Sequence, residues 1–539
     1  MTPGDRLEAL ESRYLAARDA RDRLDVARAR GEPVGIAALE AQALAASTDV
    51  HARIEAFDGP ARASLGDEDQ RALETMRSSM DAADDFRLPV PPALPPGTCD
   101  DPAAWREALA RGGDTLRARL EACYADRADT ITVGGETLTR LQVLGRLGSE
   151  PDPGRRQALF LALEPLWRVM AGDDGDASPY RALVRESAAA WRRRGASEAR
   201  NAEALGVGRE AVETWALTAL AAWRAAVVEP ARTAGEPPVQ PWDWWWRAGA
   251  AARIIGPIPL LEVEAINRGV YASLGADLDE LGITFDIRPR PGRPPVPVAF
   301  TTFGWRPQRR ADGSWSPGEP LVMASCTDGG LSELGELLHE TGHAIHIAAI
   351  RTRPAFADWP ASDALTEALA DVIAFDIAEP AWQRRWLPDR PEVPESISVR
   401  SHFASIVLDA AWSLFEIRLL GHPDRNPDEV WTELTSTWLG IAPHPEWSWW
   451  AMRGQLVQEP GYMANYAIGA VLAAGFRAAI REARGDWVDG DAGWYGWVRD
   501  RIYRFGLERA PDDVVRRVLG RAPTADALLA EISRAARVR

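Results

Sequence analysis

Residues 331–350, LSELGELLHETGHAIHIAAI, decide how this chain is read. Apolar residues recur through the stretch at helical spacing, and Ser332 is a candidate N-cap, so a helix is expected. Inside it lies His339-Glu340-Thr341-Gly342-His343. Positions i and i+4 share a helix face, so His339 and His343 can reach one metal ion, with Glu340 beside them to act on a water. The chain has 7 histidines in 539 residues, so chance would supply this pattern roughly 0.006 times per chain. The competing reading is a pair of hydrogen-bonded histidines on an ordinary core helix.

Catalytic zinc takes three protein ligands and keeps a position open for water. His346 is a poor third ligand. It lies seven residues past His339, about 10 Å along a continuous helix, and no glycine turn folds it back. It is expected to pack or hydrogen-bond instead. The better candidate is in residues 362–380, SDALTEALADVIAFDIAEP, a second amphipathic helix with Ser362 or Asp363 as its cap. Glu367 and Asp371 stand at i and i+4, and a carboxylate pair on a mostly apolar helix needs a partner. Zinc on Glu367 supplies one, and Asp371 can accept the second ring N–H of a zinc-bound histidine. The bland alternative is a solvated acidic face.

Outward from these helices the chain reads mostly as helix. Residues 7–30 and 209–234 are long, amphipathic and rich in Ala, Leu, Arg and Glu. Proline-rich segments at 88–102 and 289–300 interrupt the pattern. Short alternating stretches, ITFDIRP, VAFTTFGW and EPLVMASC, suggest a small antiparallel sheet near the metal helix. QPWDWWWR, residues 240–247, holds four of the 23 tryptophans; core packing is the plain reading, an aromatic wall beside a peptide channel the functional one.

The net charge of −17 makes nucleic acid and anionic membranes poor partners. No run of eighteen apolar residues and no signal-like start occur, so neither a membrane span nor export is expected. Cys99, Cys123 and Cys326 are odd in number and far apart. They suggest neither a disulfide framework nor a CxxC site, and a reducing cytoplasm is the expected location. All 62 basic residues are arginine, which excludes Schiff-base lysine chemistry.

HETGH, with Glu367 following 28 positions after His339 in TEALADVIAF, resembles the gluzincin metallopeptidases related to angiotensin-converting enzyme, thimet oligopeptidase and oligoendopeptidase F. Cys326-Thr327-Asp328, Trp242-Asp243 and residues 459–476, EPGYMANYAIGAVLAAGF, extend the resemblance. It implies a mainly α, two-lobed body with a central channel: one peptidase unit spanning 1–539, with a helical N-terminal region over 1–230 and a catalytic region over 231–539. It implies Zn2+ on His339, His343 and Glu367, Glu340 as general base, and Tyr466 with Tyr462, one helical turn before it, as oxyanion donors. Oligopeptides are the implied substrates. Such enzymes carry a histidine shortly before the tyrosine, where residues 452–458 read MRGQLVQ here; Arg453, Gln455 and Gln458 are the candidate substitutes. The alternatives are a zinc hydrolase of a non-peptide amide or modified peptide, and a binding protein with a silent metal site.

Overall fold

The computed structural model describes residues 2–32, 35–57, 59–82, 97–128, 130–172, 178–194, 200–290, 296, 299–326 and 329–536. The proline-rich stretch before Gly97, most of 291–298, and Thr327 with Asp328 lie outside these residues. Long helices with a few short strands make up the chain. It divides into two compact units, each built from three segments: Met1–Val90, Pro257–Asp376 and Ile480–Gly520 form the first; Pro91–Gly256, Ile377–Ala479 and Arg521–Arg539 the second. The 230/231 division read from the sequence falls inside the helix Glu229–Thr233 of the second unit. A uniformly helical composition carries no mark of which helices pack together.

In the first unit, Thr2 caps the 27-residue helix Pro3–Ala29 with a full capping box. Its buried Leu7, Leu10 and Tyr14 pack with Val50, Ile54, Leu73 and Phe356. The three alternating stretches form one three-stranded sheet. Phe300–Phe303 pairs antiparallel with the central Pro320–Met323, and Thr284–Asp286 joins it in parallel. The sheet is therefore mixed where an all-antiparallel one was expected; alternation fixes which face is buried but not the strand direction. The central strand is buried at every position and lies against the helix Leu331–Ala349.

The second unit centres on the helix Glu395–Gly421, which buries Phe403, Val407, Trp412 and Phe415 and packs on Arg209–Trp223. Of the described helical runs, Arg209–Thr233 alone is long and apolar enough to cross a membrane; here it buries Val212, Trp215, Ala219 and Trp223 inside the unit. The QPWDWWWR tryptophans pack. Trp244 lies against Trp223, while Trp242 and Trp245 join Phe160, Trp447 and Trp449.

A further expectation is overturned. Cys99 and Cys123 form a disulfide, with Cα atoms 5.5 Å apart, and Cys326 is free and buried. The cysteines are 24 residues apart, but the helix Pro102–Arg111 packs on Gly113–Ala128, which carries Cys123, and brings the two together. This pairing removes the cysteine-based ground for a reducing compartment.

Candidate metal centre

The histidine helix, Leu331–Ala349, begins two residues earlier than a Ser332 cap would place it. Gly330 is its N-cap at φ 98°, a conformation that disfavours Ser332-type residues and suits glycine. The carboxylate helix, Asp363–Ala374, is capped by Ser362, whose hydroxyl accepts from the Leu365 N–H. The two helices touch where Gly342 faces Ala370. A Cβ on Gly342 would stand 2.6 Å from the Ala370 carbonyl oxygen and 2.8 Å from its Cα. Glycine in HETGH thus allows the helices close enough for side chains of both to meet.

What meets there is a donor set. The His339 and His343 Nε2 atoms are 3.2 Å apart. Glu367 Oε2 lies 3.3 Å from His339 Nε2, and Oε1 3.7 Å from His343 Nε2. Zinc–ligand bonds of about 2.0–2.1 Å in a tetrahedron place donor atoms roughly 3.3 Å apart. The three side chains therefore fit one zinc-sized ion, and among the described residues they are the set of His, Cys, Asp and Glu able to do so. Side-chain exposure of 22% at His339 and 41% at Glu367 leaves the set open to solvent on one side, as a catalytic site requires.

Surrounding groups fix these donors. Asp371 Oδ1 lies 2.8 Å from His339 Nδ1, which directs Nε2 toward the centre. Burial lowers the His339 pKa, but Asp371 and then Glu367 raise it well above the ordinary imidazole value. Burial pushes His343 down to about 4, so its imidazole is neutral, the form that ligates a metal. Burial opposes ionisation of Glu367, yet the hydrogen bond from His339 and the charges of both histidines bring its pKa down to about 2.

Glu340 is 7% exposed. Its Oε2 accepts from the Thr301 hydroxyl at 2.7 Å, and burial pushes its pKa up to about 7. A carboxyl held near neutrality and fixed by one donor suits a group that takes up and releases a proton. His346 does not belong to the donor set. It is buried, stacked on Tyr503 at 4.8 Å, with both ring nitrogens unpartnered; it packs.

Several residues that position the centre have no local sequence mark. Tyr271, Tyr495 and Tyr503 donate to the Leu338, Ile345 and Leu369 carbonyls, fastening both helices. Asn267 donates to the Thr341 hydroxyl. Trp359 lies edge-on to His343 at 5.6 Å, on a loop whose Asp358 pairs with Arg18 at 2.6 Å and with the buried Arg306 at 3.3 Å. Thr301 lies on the strand read as VAFTTFGW, but alternation alone does not say that it meets Glu340.

The tyrosine segment belongs to the second unit. Tyr466 lies on the helix Ala464–Arg484, whereas Tyr462 sits in the turn before it, and Gly461 bends that turn at φ 98°. Tyr462 is therefore not a helical turn before Tyr466, although their rings lie edge to face at 6.0 Å. The Gln455 amide donates to the Tyr466 hydroxyl at 3.1 Å, and the Arg453 guanidinium lies 5.5 Å from its ring centre. Of the three candidate substitutes for the histidine, Arg453 and Gln455 adjoin Tyr466, and Gln458 is exposed.

No family model and no curated protein matches the chain. Solved structures do. An M32 carboxypeptidase from Deinococcus radiodurans R1 is similar at 16% identity and TM-score 0.55, over 98% of this chain and 97% of that one. Trypanosoma cruzi metallocarboxypeptidase 1 is similar at 16% and 0.53, over 99% of each chain. A protein assigned as oligoendopeptidase F is similar at 16% and 0.57, over 97% and 94%. The chain has the helical fold of these proteins along nearly its whole length.

Proposed function

We propose that this chain is a zinc-dependent metallopeptidase acting on oligopeptides. The observation that carries the reading is the His339–His343–Glu367 donor set with Glu340 buried beside it. The likeness in fold to metallocarboxypeptidases and oligoendopeptidase F supports it. Zinc bound there would polarise a scissile carbonyl and lower the pKa of a water in the open position to about 7. Glu340, steadied by Thr301, takes a proton from the attacking water as its oxygen bonds to the carbonyl carbon. The same carboxyl then protonates the amine nitrogen as the C–N bond breaks. Asp371 keeps His339 oriented throughout. Tyr466 as oxyanion donor, with Tyr462 in support, rests on the resemblance of its segment.

Residues 452–458 lack a histidine, with Gln455 hydrogen-bonded to Tyr466 instead, and this favours one second reading, a zinc hydrolase of modified peptides or non-peptide amides. A panel of unmodified peptides, N-acyl peptides and simple amides, incubated with and without a chelator, separates the two. The proposal expects chelator-sensitive cleavage of unmodified peptides. Cleavage confined to the modified substrates would favour the second reading, and chelator-insensitive cleavage would refute both.

A further inference from the structure

The second unit contains a cavity of about 580 Å3 whose lining residues all belong to that unit. Ligand sites in proteins commonly fall between about 300 and 1,000 Å3. Two π-helical turns line it: Arg224–Val228, where Pro230 breaks the regular hydrogen-bond ladder, and Thr435–Leu439, which ends at Gly440. π-turns inside helices recur at functional sites. The Trp223, Trp244 and Trp246 rings and aliphatic side chains such as Val227 and Ile397 make the lining largely apolar.

Its charge runs against the rest of the molecule. The lining holds five arginines and two glutamates, a net charge of +3 in a chain of net −17. Both glutamates are already engaged: Glu229 pairs with Arg224 and Arg232 at 2.8 Å, and Glu236 with Arg247 at 3.8 Å. The other two cations have no carboxylate within ion-pair distance among the described residues. Arg253 stacks 3.3 Å from the Trp246 ring centre and donates to the Gly148 and Trp246 carbonyls. Burial, and after it the charge of Arg156, lower its pKa. Arg400 donates through Nε to the Ala535 carbonyl. Partly buried guanidinium groups without counter-ions beside an apolar cavity form a receptor for an anion with an apolar body.

We propose that this cavity binds a small hydrophobic carboxylate, an aliphatic or aryl acid, with its carboxylate on Arg253 and Arg400 and its body against the tryptophans. A zwitterionic amino acid fits less well, because no glutamate is left over for an ammonium group.

Calorimetric titration of the full chain tests this with sodium decanoate, decyltrimethylammonium and decanol as probes. The expected result is one decanoate per chain, with the cation and the alcohol at least 10-fold weaker. Arg400→Gln should weaken decanoate by roughly 10-fold or more, the range for a lost charge-assisted hydrogen bond. Val227→Trp, which fills the cavity, should abolish binding while circular dichroism stays that of the wild type. Equal binding of the cation or alcohol, no binding of decanoate at millimolar concentration, or unchanged binding in either variant would each overturn the proposal. The comparison of the three probes on the wild type keeps the test decisive if a variant fails to fold.

Discussion

Gly342→Ala puts the geometry of the metal centre to a severe test, because the added methyl group has nowhere to go. Its Cβ would lie 2.6 Å from the Ala370 oxygen, where ordinary contact begins near 3.4 Å. The carboxylate helix must therefore retreat by about 0.8 Å at Ala370, one turn after Glu367. Metal–ligand distances tolerate only about ±0.2 Å, so Glu367 can no longer close the donor set at its present place. Zinc affinity should fall by at least 10-fold, within the roughly 10–100-fold range seen when the support of a ligand is lost. Stability of the metal-free protein should fall by no more than about 3 kcal/mol. Overpacking costs about 1–3 kcal/mol, and replacing glycine by alanine in a helix returns up to about 1 kcal/mol. The assay is competition for zinc against a chromophoric chelator, with thermal unfolding of the metal-free protein in parallel. Wild-type zinc affinity in Gly342→Ala, with a raised melting temperature, would refute the close helix contact and the positioning argument built on it.

Asp371→Ala should weaken zinc roughly 10–100-fold without abolishing binding, since His339 loses its orienting partner but keeps Nε2; equilibrium dialysis reads the change, and unchanged affinity returns Asp371 to a solvated role. Tyr466→Phe should lower kcat by roughly 10²–10³ with little change in KM, as expected for a donor used only in the transition state; turnover at the wild-type rate would move the oxyanion role elsewhere. Glu416, 1% exposed, accepts from the Met463 N–H at 2.9 Å, and burial pushes its pKa up to about 8 from the ordinary 4.5. Between those values the folded chain holds a proton that the unfolded chain has released, so stability falls as pH rises from about 4.5 through about 8, by something on the order of a few kcal/mol. Glu416→Gln should flatten that slope in unfolding measurements at pH 5 and pH 8; an identical slope in the variant would contradict the assignment.

The parts of the centre that the sequence makes legible are those set by local periodicity. The i, i+4 spacing of His339 and His343, the Ser362 cap and the shared face of Glu367 and Asp371 all follow from helical repeat. What sequence reading lacks is contact between distant segments. Thr301 reaches Glu340 only because an edge strand runs beside the histidine helix, and Trp359 covers His343 only because Arg306 and Arg18 hold its loop. The Cys99–Cys123 bond depends on two helices folding back on one another. The parallel pairing of Thr284–Asp286 depends on how the chain returns to Pro320–Met323. Each unit is assembled from three separated segments; the proline-rich stretch 88–102 marks the crossing at Val90–Pro91, whereas the crossing at Ala479–Ile480 falls inside the helix Ala464–Arg484 with no change of composition.

Glu340→Gln tests the central claim most directly. Glu340 adjoins the donor set without belonging to it, and glutamine keeps its size and its acceptor for Thr301 while removing the base. Zinc content by elemental analysis and peptide turnover should be measured on the same zinc-loaded preparations of wild type and variant. The account predicts one zinc per chain in both, with turnover in the wild type and almost none in Glu340→Gln. Near-normal turnover in a variant that holds its zinc would contradict it.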